Sequence, residues 1–277
     1  MKKIIVPVDF SLHSEYALET AAILAKKHNA EIFALHMLEI SEAILTSIDS
    51  EQQMKTAFLI KYARERFNNF LDKDYLKGIT ITPIVKHFKV FSEVNEVVDE
   101  NDVDLIIMGS KGNSGLKEVF VGSNTQKVIR HSNIPVLVLK DKPNLKSFKN
   151  VVFACDFSEE SIKAYINITR MVKILGAQLN LLYVNLPYNS FKSNTEMEKQ
   201  VLQFLKRVDG NERHINDVHF ICDYSIEKGV SNFCNKTDID LITIATHGRK
   251  GLAHFIDGSI SEDLANHSTL PVMTFKI

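Results

Sequence analysis

Two rhythms of apolar and polar residues alternate along the chain. Short, almost wholly apolar runs rich in Val, Ile and Leu occur at KIIVPV (from Lys3), EIFALHML (Glu31), ITPIVKHF (Ile81), VDLIIM (Val103) and IPVLVL (Ile134). Between them, apolar residues recur three and four positions apart. The runs predict buried strands and the spaced segments predict helices. Helices are expected over SEYALETAAILAKKH behind Ser11 as N-cap, over the polar stretch from Ser47 to Phe70, over VNEVVDE, and from Ser123 onward. The second half repeats the scheme with NVVFAC, LNLLYV, VHFICD, DLITIA and LPVMTFK. Strands that are apolar on both faces and alternate with helices predict a parallel sheet covered on both sides. Right-handed crossovers then make each sheet doubly wound, an α/β architecture.

The halves are copies. DVDLIIMG from Asp102 matches DIDLITIA from Asp238, and the same offset of 136 residues carries Gly112 to Gly248, Gly122 to Gly258, Ser123 to Ser259 and His131 to His267. Near the starts of the halves, DFSLHS from Asp9 matches DFSEES from Asp156 at an offset of 147. The difference, 11 residues, places an insertion of the first half within residues 39 to 78. Two domains are expected, 1–142 and 147–277, joined at DKPNLKS, where Pro143 and polar neighbours read as a linker.

Composition narrows the classes. A formal net charge of −1 gives no excess that would draw the chain to nucleic acid or an anionic membrane. No apolar run approaches the ~18 residues needed to span a bilayer. The apolar start stops at Asp9, too short for a signal-peptide core, and reads as a strand. Cys155, Cys222 and Cys234 are an odd number without CxxC spacing, which argues against a disulfide framework and for a reducing cytoplasm. His214, His219, Cys222 and Cys234 fit no zinc spacing, so no metal site is expected. Cys155, inside an apolar strand, reads as buried packing.

Open α/β sheets bind ligands beyond the carboxyl ends of their strands, where strand order reverses. Asp9 and Asp156 stand at such ends, as do the glycine loops GSKGNSGLKEVFVGS and ATHGRKGLAHFIDGS. Each loop runs into a helix whose free N–H groups and dipole favour phosphate. Glycine allows close backbone approach, and Ser123 can cap the helix and offer its hydroxyl to an anion. A carboxylate across the site suits a ribose hydroxyl or an adenine amino group. The bland alternatives are also open: glycines as turn punctuation, Asp9 and Asp156 as Asx-turn residues, and Ser11, Ser14, Ser158 and Ser161 as caps.

The spacing Gly109, Gly112, Gly122, Ser123, together with VPVDFS, MGSKGNSGLKEVFVGSN and HSNIPVLVLK, resembles the universal stress protein family in a tandem, two-domain form. The resemblance covers almost the whole chain. It implies two Rossmann-like, adenine nucleotide α-hydrolase-like domains, each a five-stranded parallel sheet. It implies ATP, accompanied by Mg, bound near Pro7, Val8, Asp9 and Met37, with Met108, Gly109, Gly112, Gly122, Ser123 and Asn124 around the phosphates. Asp156, Val184, Gly248, Gly258 and Ser259 are the second half's counterparts. It also implies pairing of the two domains through their last strands, and a homodimer of such tandems.

The second half departs from this pattern. Ala245 replaces the counterpart of Gly109, Asp257 precedes Gly258 where the first half has Val121, and FACDFS lacks the proline of VPVDFS. His247, Arg249 and Lys250 make its loop more basic. The first half is therefore the expected nucleotide site, and the second is either a further site or a degenerate copy kept for pairing. No GxxxxGK[ST] stretch and no evident carboxylate pair or base near the loop points to efficient hydrolysis. The expected function is a nucleotide-binding regulatory protein of the stress response, at most a weak ATPase. The alternatives are an interaction scaffold of the same fold without ligand and a true enzyme related to other adenine-nucleotide-binding folds.

Overall fold

The computed structural model describes residues 1–38, 50–87, 90–110, 122–142, 148–210, 213–246, 264 and 268–277. The chain forms two compact units, Met1–Asn144 and Leu145–Ile277.

In the first unit the strands are β1 (Lys3–Val8), β2 (Glu31–Leu38), β3 (Ile81–His87), β4 (Leu105–Gly109) and β5 (Val136–Leu139). They lie in the order β3-β2-β1-β4-β5, and every neighbouring pair is parallel. The helices are α1 (Leu12–His28), α2 (Ser50–Leu71), α3 (Val90–Asn101) and α4 (Ser123–His131). Right-handed crossovers put α1 and α2 on one face of the sheet and α3 and α4 on the other. The central strands are buried on both sides, with Ile4, Ile5, Ile32, Leu35, Leu105, Ile106 and Ile107 wholly enclosed.

The second unit repeats the plan with β6 (Asn150–Ala154), β7 (Gln178–Asn185), β8 (Val218–Cys222), β9 (Leu241–Thr246) and β10 (Val272–Lys276), ordered β8-β7-β6-β9-β10 and again parallel. Its helices are α5 (Ile162–Leu175), α6 (Asn194–Asp209) and α7 (Ile226–Cys234). Among the described residues, no helix of either unit is long and apolar enough to cross a membrane.

Local chemistry explains several element ends. The matched DVD and DID tripeptides tie each first strand to its fourth. Asp104 Oδ2 accepts the Lys3 N–H (3.1 Å), and Asp240 accepts those of Lys149 (2.8 Å) and Asn150 (3.2 Å). Ser11 caps α1, its hydroxyl accepting the Ser14 N–H at 3.2 Å, and Ser193 with Glu196 forms a capping box at α6. Gly176 and Gly210 end α5 and α6 in the left-handed region. The polar stretch expected to be helical is α2, with 22 residues against 16 in α6. It buries Thr56, Ala63 and Phe67 and exposes Met54, Phe58 and Tyr62.

Candidate functional site at the strand ends of the first unit

Strand order reverses between β1 and β4, and there the two strands part. β1 pairs with β4 at Ile4↔Leu105 and Ile5↔Ile106. The corresponding strands of the second unit stay paired for two further residues, from Val151↔Leu241 to Ala154↔Ile244. The sequence cause stands at Pro7, whose counterpart is Ala154. Cys155 donates its N–H to Leu182 O on β7 (3.0 Å), so Ala154, one residue earlier, directs its N–H toward β9. Pro7 has no N–H to give β4, and the crevice opens at its level.

The chain then turns sharply. Asp9 Oδ1 accepts the Ser11 N–H (3.0 Å), an Asx-turn, and Phe10 adopts the left-handed region at φ 64°. A bulky residue there is strained by ~1–3 kcal/mol and needs neighbours to hold it. They are His36 (ring centroids 4.3 Å apart), Phe70 (5.6 Å) and Phe67 (6.0 Å), with the Arg66 guanidinium 4.6 Å over the Phe10 ring. His36 donates from Nδ1 to Val8 O at 2.7 Å, joining the ends of β1 and β2. Burial pushes the His36 pKa below its ordinary value; the Val8 carbonyl opposes this and Arg66 adds to it. Sequence reading missed His36 and Arg66, because nothing in a strand or helix pattern shows that their side chains converge on Phe10.

At the β4 end, Gly109 has a packing role that sequence reading did not give it. A Cβ there would lie 2.6–2.7 Å from the C, Cβ and O atoms of His13 in the first turn of α1. Its φ is not in the left-handed region. The glycine thus makes room for α1. Thr125 Oγ1 donates to Gly109 O (3.0 Å), and the Gly122 N–H donates to Ser110 O (2.6 Å). The Ser110 hydroxyl is buried and has no hydrogen-bond partner among the described residues.

Ser123 is the first residue of α4, as the sequence predicts, but it is not the cap that the sequence offered. Gly122 occupies the cap position, with φ −59° and ψ 146°, and among the described residues no side chain caps the helix. Ser123 and Asn124 are exposed, Val8 and Met108 are buried, and Pro7, Asp9, Met37, Gly109 and Gly122 are half-buried. The structure thus brings Pro7, Val8, Asp9, Met108, Gly109, Gly122, Ser123 and Asn124 to the carboxyl ends of β1 and β4. Met37 stands near the end of β2. Gly112 lies outside the described residues.

The second unit differs in detail. Asp156 Oδ1 accepts both the Ser158 N–H (3.0 Å) and the Ser161 hydroxyl (2.7 Å). Ser161 precedes α5 without a side-chain bond to its N–H groups, so it is not the hydroxyl cap expected. Val184 is buried, its Cγ1 2.7 Å from where a Cβ on Gly229 would stand, and it belongs to the core. Cys155 is buried, and burial pushes its thiol pKa up. Gly248, Gly258, Ser259 and His267 lie outside the described residues. Among those described, no group of three or more His, Cys, Asp or Glu side chains is placed to hold a metal ion.

The family model of the universal stress protein family matches residues 1–140 and again residues 147–276. The chain belongs to the universal stress protein family. Universal stress protein Slr1230 of Synechocystis is 21% identical over the full length of both chains. Universal stress protein MJ0577 of Methanocaldococcus jannaschii is 31% identical over 156 residues, which are 51% of this chain and 96% of that one. The crystal structure of a universal stress protein from Archaeoglobus fulgidus superposes with a TM-score of 0.63 at 23% identity, covering 99% of this chain and 96% of that one. A universal stress protein thus built of two copies is a relative of stress-response proteins made from one or two such units.

Proposed function

We propose that the first unit binds an adenine nucleotide, ATP with Mg, and that the chain acts as a regulatory stress-response protein through that binding. The observation that carries this reading is the opening of the sheet after Ile5↔Ile106, with the start of α4 bonded to the end of β4 through the Gly109 and Ser110 carbonyls and no side-chain cap on it among the described residues. N–H groups without intrahelical acceptors beside a crevice suit phosphate oxygens. The buried Ser110 hydroxyl, lacking a partner among the described residues, stands between β4 and that helix and fits a site completed by a ligand. When bound, ATP supplies a triphosphate for the α4 N-terminus and an adenosine for the β1 and β2 ends, with Mg neutralising charge on the phosphates. In this reading Asp9, held by its Asx-turn, faces a ribose hydroxyl or the adenine amino group, and Met37 lines the base. The role is binding, with at most slow hydrolysis.

The test is to purify the protein without added nucleotide, denature it, and identify released small molecules by mass spectrometry, then titrate the emptied protein with Mg-ATP. Binding that disappears in Gly122→Val, with an unchanged circular dichroism spectrum, supports the reading. The absence of both co-purified nucleotide and binding would favour a ligand-free scaffold pairing through its last strands in the cytoplasm.

A further inference from the structure

The two units carry the same motif, but Pro7 and Gly109 of the first are Ala154 and Ala245 in the second, and both differences act at the same strand ends. Gly109 has no Cβ, and α1 starts at Leu12 against it, with Ser14 turning its hydroxyl back to Ser11 O at 2.9 Å. Ala245 does have a Cβ and is buried. The residue aligned with Leu12 is Glu159, yet α5 starts only at Ile162, almost one turn later. A helix seated as α1 is seated would meet the Ala245 methyl inside van der Waals contact. In the second unit that turn is instead held by i→i+3 bonds, Ser161 N–H to Ser158 O (3.2 Å) and Ile162 N–H to Glu159 O (3.3 Å), and Ser161, the counterpart of Ser14, donates its hydroxyl to Asp156 Oδ1 at 2.7 Å.

The same end of the second unit is tied from two further directions. Gln200 Nε2 on α6 donates to Asp156 O at 2.6 Å. Ala154, unlike Pro7, keeps β6 zipped to β9 through Ala154↔Ile244, so the strands do not part at the level where β1 and β4 do.

We infer that Ala154 and Ala245, acting through Ser161, close the second unit's copy of the nucleotide site and turn Asp156 into an internal anchor, so that the chain takes one nucleotide, in its first unit. The stoichiometry rests on the function proposed above, whereas the closure of the second unit does not. Asp156 keeps the Asx-turn that Asp9 also makes, and its Oδ1 also holds the Ser161 hydroxyl, whose counterpart on Ser14 turns to Ser11 O instead; a ribose or an adenine amino group would have to displace it.

The experiment counts bound nucleotide by equilibrium dialysis of radiolabelled Mg-ATP. The full-length chain is compared with Ala154→Pro/Ala245→Gly, which restores the first unit's residues at both positions. Circular dichroism checks that the variant folds. If the proline disrupts β6, Ala245→Gly/Ser161→Ala replaces it. The expected result is one equivalent per chain for the natural sequence and two for the variant. Two equivalents in the natural chain overturn the inference, and so does one equivalent in both. No equivalent in the natural chain but one in the variant overturns the function proposed for the first unit and upholds the closure of the second. No equivalent in either overturns both.

Discussion

Replacing Gly109 with alanine tests whether this glycine serves the chain's own packing. The new Cβ would stand 2.6 Å from the backbone C of His13 and 2.7 Å from its Cβ and O. Ordinary carbon contacts lie at about 3.5–4.0 Å, so the first turn of α1 must move by roughly 1 Å. Overpacking of this kind costs about 1–3 kcal/mol. Alanine also reduces the freedom of the unfolded chain, which offsets about 0.4–1 kcal/mol. The net loss is about 0–2.6 kcal/mol with a middle value of ~1.3 kcal/mol, a fall of about 3–7 °C in the melting of the first unit. Because the chain has two units, melting by circular dichroism should be read beside hydrogen exchange of the peptide containing Leu12 to Tyr16. Exchange there should quicken while the second unit is unaffected. Unchanged melting with unchanged exchange would refute the reasoning and leave ligand approach as the reason for the glycine. Ala245→Gly is the control: it relieves no clash in the natural chain and should lower stability by no more than about 1 kcal/mol.

Ser11→Ala removes the hydroxyl that caps α1 and should cost about 1 kcal/mol in urea unfolding, whereas Ser158→Ala, three residues ahead of Ser161, should cost a few tenths. Asp240→Ala leaves the Lys149 and Asn150 N–H groups without their carboxylate and should cost about 1.5–3 kcal/mol, read as a lower melting temperature of the second unit. Acidification should weaken the first unit through His36. Its folded pKa lies below 6.5, so the unfolded chain takes up the proton first, and the stability present above about pH 6.5 is lost as pH falls. His28 is lowered likewise and acts with the same sign. The decline between pH 7.5 and 5.5 should therefore be shallower, but not absent, in His36→Gln; an identical pH profile would show that His36 does not titrate differently on folding.

Much of the architecture could be read from the residues because it depends on local pattern. Each apolar run became a strand, and Ser11 and the polar stretch from Ser47 announced α1 and α2. The doubly wound order followed from strands too apolar to face water. What escaped depends on residues far apart in sequence. DFSLHS and DFSEES promise helices with the same start, but α5 begins late because of Ala245, some 80 residues downstream. The glycine of the loop was legible as a close approach, but its contact with His13 in the first turn of α1 joins residues far apart in sequence and has no local signal. The ring cluster of His36, Arg66 and Phe10 forms only once β1, β2 and α2 have packed, and no period in the sequence encodes it.

The placement of β1 in the interior of its sheet also bears on how the chain is made. β1 is synthesised first, but its second neighbour, β4, appears only at Leu105 and the sheet is complete only at Leu139. At about 5–20 residues per second, residues 145–277 take roughly 7–27 s to add. The first unit can therefore finish its sheet before a second strand set of the same design exists. Two copies released together would offer each central strand a wrong partner of nearly the right pattern. Emergence in sequence withholds that competitor, so refolding of the full-length chain from denaturant should be slower and more prone to aggregation than its folding during synthesis.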